Sequence, residues 1–88
     1  MEPIGYIVQY SDEEDYTIYH GFMRLYRNFS EALDHAKALY QTYLEKHCSE
    51  EVGIFEVYSP TKRQCDTQGS VKVFECRDRI VWIDCVVE

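Results

Sequence analysis

Eighty-eight residues with a net charge of −7 and 45% hydrophobic content hold one domain, residues 1–88, because two cores do not fit this length. No apolar run approaches the roughly 18 residues of a membrane-spanning helix. Four glycines and two prolines exclude a collagen-like or low-complexity chain, and 15% aromatic content argues against disorder.

Sixteen acidic against nine basic residues repel phosphate backbones and anionic membranes. Direct binding to nucleic acid or membrane is therefore disfavoured, and a basic protein surface is the favoured partner. The plainer reading is that acidic surfaces keep small proteins soluble. Area scaling for 10.5 kDa gives about 5,400 Å² folded against about 15,000 Å² unfolded, enough for one modest core.

The start, Met1-Glu2-Pro3-Ile4, has neither a basic nor an apolar leader region, so the expectation is a cytoplasmic, reducing location. For a chain of viral origin that means the host cytoplasm or nucleus. Cys48, Cys65, Cys76 and Cys85 are then expected as thiols.

Residues 4–10 are β-branched and aromatic, with Ile4, Tyr6, Val8 and Tyr10 on one face and Gly5, Ile7 and Gln9 on the other. They predict a strand. Asp12-Glu13-Glu14-Asp15 follows as a solvated turn. Tyr16 to Tyr26 reads as a second strand that forms a hairpin with the first, bent at Gly21.

Ser30 is the expected N-cap of a helix from about Glu31 to His47. Its apolar positions, from Ala32 and Leu33 to Tyr43 and Leu44, share one arc. His20 and His35 are expected at the surface. Val52 to Ser59 predicts a third strand ended by Pro60. Thr61 to Gly69 is polar and reads as a mobile loop.

Ser70 to Val87 predicts a hairpin, Val71–Cys76 with Ile80–Val87, in a register that opposes Val73 to Ile83. That register makes Lys72 and Asp84 cross-strand neighbours and collects Phe74, Ile80 and Trp82 on one face. A face so apolar needs a cover and is the expected interface. The order is β-β-α-β-β-β: an α+β fold with a small single-layer antiparallel or mixed sheet and one amphipathic helix packed on one face.

No spacing of cysteine and histidine matches a zinc site, so no metal or cofactor is expected. His47 and Cys48 sit at a helix C-terminus, which raises a thiol pKa and disfavours a nucleophile. The run Asp12–Asp15 lacks the alternating ligands and glycine of a calcium loop. Ser11-Asp12-Glu13-Glu14 also fits an acidic-directed kinase site, a short and common pattern. No phosphate loop or hydrolase elbow occurs.

The expectation is a small non-enzymatic protein that binds a basic partner through Asp12, Glu13, Glu14, Asp15, Tyr10, Tyr16 and Tyr19. One form is a nucleic-acid mimic of viral or phage type, an inhibitor whose carboxylates stand in for phosphates. Tyrosine suits such a surface because it offers large area at low entropy cost. The alternative is an assembly subunit that forms a homodimer through Phe74, Ile80 and Trp82.

Overall fold

The fold is built on the alternating segment at the start of the chain, which forms β1 (Gly5–Asp12), an interior strand of an antiparallel sheet. The computed structural model describes residues 3–12, 17–19, 25–47, 55–76 and 79–87. β2 (Thr17–Tyr19) and β3 (Leu25–Tyr26) both pair with β1. The expected second strand is therefore two short segments, and the hairpin with β1 is present. Gly21 lies outside the described residues.

α1 (Phe29–His47) starts two residues earlier than the sequence suggests. Asn28, not Ser30, is its N-cap. The Asn28 carbonyl accepts the first helical bond, from the Ala32 N–H at 3.3 Å, and its side chain bonds Glu31 at 2.9 Å. Phe29, Ala32, Ala36 and Tyr40 recur at helical spacing and are buried. The two alanines let the helix approach the sheet closely. At the ends of this stripe Phe29 meets Tyr6 edge-on at 5.4 Å, and Tyr40 stacks on Phe74 at 5.2 Å. His35 is half-buried, with its ring 5.5 Å from that of Tyr26, rather than at the surface.

β4 is Phe55–Val57. Residues 52–54 of the predicted strand lie outside the described residues. The segment read as a loop is a second helix, α2 (Lys62–Gln68). A capping box starts it: the Gln64 N–H donates to Thr61 Oγ1 at 3.2 Å, and the Thr61 N–H donates to Gln64 Oε1 at 2.9 Å. Gly69 ends it at φ 84°, in the left-handed region, with its N–H on the Cys65 carbonyl at 2.8 Å.

β5 (Ser70–Cys76) and β6 (Arg79–Val86) complete a six-stranded sheet in the order β2-β1-β6-β5-β4, with β3 also on β1. The fold is α+β, with two helices among the described residues rather than the one expected. The last hairpin differs from its predicted register for two reasons. Cys76 opposes Arg79, so the connection is one residue shorter than expected, and a bulge lies between Lys72 and Phe74. Val71, not Val73, therefore opposes Ile83, and Phe74 opposes Val81. A bulge gives one strand an extra residue against its partner. Val73 and Phe74 are accordingly both fully buried.

Both helices cover the same face. It carries Tyr6, Val8, Val81, Ile83 and Phe74 against α1, and Tyr6 and Cys85 against Asp66 of α2. The accessible surface is 6160 Å². That exceeds the area-scaling value of about 5,400 Å². One sheet with helices on a single face leaves the other face in water.

Candidate functional site

The open face follows from the register. Antiparallel partners point to the same side, so Ile7, Leu25, Gln9, Trp82, Lys72, Ile80, Glu75, Glu56 and Asp84 share the side away from the helices. Leu25 is 45% exposed, and Ile7, Ile80 and Trp82 are half-buried by their neighbours alone. Leu25 lies over Gly5, where a Cβ would come within 2.6 Å of its Cδ1.

Polar groups surround these apolar side chains. The Gln9 amide donates to Asp84. Lys72 Nζ is 3.1 Å from Glu75 Oε2 and 5.9 Å from the centre of the Tyr58 ring. The Tyr58 hydroxyl donates to Glu56 and lies 3.4 Å from Glu75 Oε2. Its pKa is pushed up to about 12, first by the bond to Glu56, because the phenolate would meet a carboxylate. Among the described residues of this face, three carboxylates, Glu56, Glu75 and Asp84, accompany one ammonium, Lys72.

A second cluster lies at the seam of α2 and the sheet. The Tyr6 hydroxyl donates to Asp66 Oδ1 at 2.6 Å, Lys62 Nζ is 2.6 Å from Asp66 Oδ2, and Cys85 Sγ is 3.8 Å from Oδ1. The bond from Lys62, and after it the one from Tyr6, holds the Asp66 carboxyl below its ordinary value. Cys65 is fully buried and donates to the Ile83 carbonyl at 3.7 Å. Burial, with the nearby Cys85 next, pushes its thiol up to about 12. Burial and then Asp66 raise Cys85 as well. Both are protonated thiols at neutral pH and weak nucleophiles. This cluster ties α2 to β1.

The predicted site residues separate. Ile80 and Trp82 are on the open face. Phe74 is not with them: the bulge turns it into the core, at 0% exposure. The same bulge puts Cys76 in the core on the helix side, the side Cys85 also packs on. Tyr10 packs against the core on the helix side, as do Tyr6 and Tyr26, so these tyrosines do not form an outer aromatic surface. Lys72 opposes Trp82 instead of Asp84, which opposes Ser70. Asp12 ends β1, where its backbone pairs with Thr17 and Arg79, and Tyr19 pairs with Tyr10. Glu13, Glu14, Asp15 and Tyr16 lie outside the described residues.

Tyr58, Leu25 and Glu56 are open-face residues that the sequence reading passed over, while Asp84 is on the face it was expected on, opposite Ser70 rather than Lys72. The alternation of β1 had already set Ile7 and Gln9 apart from the core. Among the described residues no three histidine, cysteine or acidic side chains are placed to hold a metal ion. No helix among them is long and apolar enough to cross a membrane. No protein-family model matches the chain, and no curated protein or solved structure matches it either.

Proposed function

We propose that this chain is a small acidic protein that acts by binding, not by catalysis, and docks its open sheet face on a basic surface of another protein. One observation carries the reading. Both helices lie on one side of the sheet, while Trp82, Ile80, Ile7 and Leu25 stand on the other within a rim of Glu56, Glu75 and Asp84. Aromatic and aliphatic anchors inside a charged rim are the usual anatomy of a binding patch. The rim's described residues carry two more negative charges than positive, Glu56, Glu75 and Asp84 against Lys72, which favours a basic partner and disfavours nucleic acid. Inhibition by mimicry of phosphates is one form this takes, and the acidic sequence Asp12–Asp15 adds to the negative charge that favours it.

The same apolar face supports a second reading, a homodimer of this chain. Sedimentation separates the two: a monomer at all concentrations removes the dimer.

The partner test is affinity capture from the native host with three baits: the wild type, Trp82→Ala with Asp84→Lys, and the Asp12–Asp15 amides. A protein retained by the wild type and lost from the Trp82/Asp84 variant supports the open face. Loss only from the amide variant moves the site to the acidic run. An identical set on all three baits overturns the reading.

A further inference from the structure

We propose that the unpaired half of β5 is a docking strand for an extended segment of a partner polypeptide. The segment sets an apolar side chain against Trp82 and Tyr58 and a basic one beside Asp84. This rests on the binding role proposed above and specifies the form in which the partner is held.

β4 pairs with β5 only from Phe74 to Cys76. Beyond that the chain makes one more bond, from the Tyr58 N–H to the Val73 carbonyl at 2.9 Å, and turns away into α2. Among the described residues, no strand pairs with Ser70–Lys72 on that side. The bond from the Cys85 N–H to the Gly69 carbonyl, 2.8 Å, fixes the phase of the ladder. Bonded and non-bonded pairs alternate along antiparallel strands. Gly69 and Val71 therefore turn their backbone groups toward β6. Ser70 and Lys72 turn theirs outward, two residues apart, as the rungs that an added strand uses.

The space beyond these rungs is an open groove of about 730 Å³, walled by Tyr58, Pro60, Gln64, Gln68, Ile80 and Trp82. Gln64 and Gln68 stand one turn apart on α2, with amides able to both donate and accept. Edge strands are commonly guarded by a lysine. Here Lys72 is engaged by Glu75 and the Tyr58 ring. With Lys72 neutralised, Asp84, opposite Ser70, is the remaining charge among the described residues at this end of the face. A lysine or arginine in the segment complements it.

The test begins with backbone hydrogen exchange in the free protein. Ser70 and Lys72 amides are expected to exchange at least about tenfold faster than those of Val71 and Ile83. A displayed random-peptide library is then selected on the full chain. The enriched peptides are expected to carry an apolar residue beside a basic one, to shift the fluorescence of Trp82, the single tryptophan, and to slow the Ser70 and Lys72 amides. N-methylation of alternate peptide bonds is expected to abolish binding, as is Gln68→Arg, an exposed change that leaves α2 folded by circular dichroism.

Protection of Ser70 and Lys72 in the free protein overturns the proposal, and so does a library without binders. Peptides that shift Trp82 but slow neither amide also overturn strand docking, while leaving the open face as a binding surface.

Discussion

The Tyr6 hydroxyl donates to the Asp66 carboxylate at 2.6 Å across sixty residues of sequence, joining the first strand to the second helix. The Tyr6 ring is 1% exposed, and its hydroxyl reaches the rim of the core, where Asp66 also meets Lys62. A buried tyrosine needs such a partner. Tyr6→Phe keeps the ring and removes the bond. It is expected to lower stability by about 1–2 kcal/mol. The urea midpoint should fall with an unchanged slope. A double-mutant cycle with Asp66→Asn should be non-additive, since the two side chains touch.

The same pair sets the pH dependence at both extremes. Lys62 and Tyr6 depress Asp66, so its contribution is complete above its ordinary value of 3.8 and is lost as pH falls from there through the folded value. Tyr6 is raised from 10.0 to about 12 by burial first and Asp66 second. Its neutral form is the one the fold favours, so that contribution is complete below pH 10.0 and declines as pH rises toward about 12. Unfolding followed against pH should show a shallower alkaline decline in Tyr6→Phe than in the wild type. An unchanged slope would mean that Tyr6 titrates alike in both states.

Phe74 and Trp82 are expected to behave in opposite ways. Phe74 is fully buried against Tyr40, so Phe74→Ala should cost about 3–5 kcal/mol. Trp82 is half-buried on the open face, so Trp82→Ala should cost about 1 kcal/mol or less in the isolated chain and act on partner binding instead. Thermal unfolding of the two variants decides this, and equal losses would contradict the placement of the two rings.

The ends of α2 give a third pair. Thr61→Ala removes the capping box and should cost about 1 kcal/mol. Gly69→Ala meets no atom within 4 Å, so its cost of about 1–2 kcal/mol comes from the φ of 84° alone. Reduced protection of the Cys65 and Gly69 amides should accompany both losses.

Gly5→Ala differs, because the added Cβ would approach Leu25 Cγ at 2.7 Å and the Tyr26 carbonyl oxygen at 2.8 Å. Leu25 can swing aside, but the backbone oxygen cannot. The expected cost is about 1–3 kcal/mol with loss of the β3 pairing, visible as faster exchange of the Tyr26 amide.

The order of strands around one long helix was legible in the sequence, because period-2 and period-3.6 patterns report how a segment buries its own apolar side. The inner face of β1 and the buried stripe of α1 follow from Tyr6, Val8, Ala32 and Ala36 with no knowledge of their partners. The second helix was legible too: Thr61 and Gln64 form a capping box and Gly69 a stop, signals outweighed by the polar composition between them.

Tertiary structure alone decided which face Phe74 joins. A bulge is set by how two strands and the helix above them fill space, and one inserted residue exchanges the faces beyond it. Tyr6 and Asp66 likewise carry no sign of each other in the chain. Their bond exists because α2 is laid against β1 by the strands between. The composition that opened the reading, acidic and rich in tyrosine, remains a statement about the surface. The fold moved Tyr6, Tyr10 and Tyr26 to the core side and left Trp82 among carboxylates on the open one.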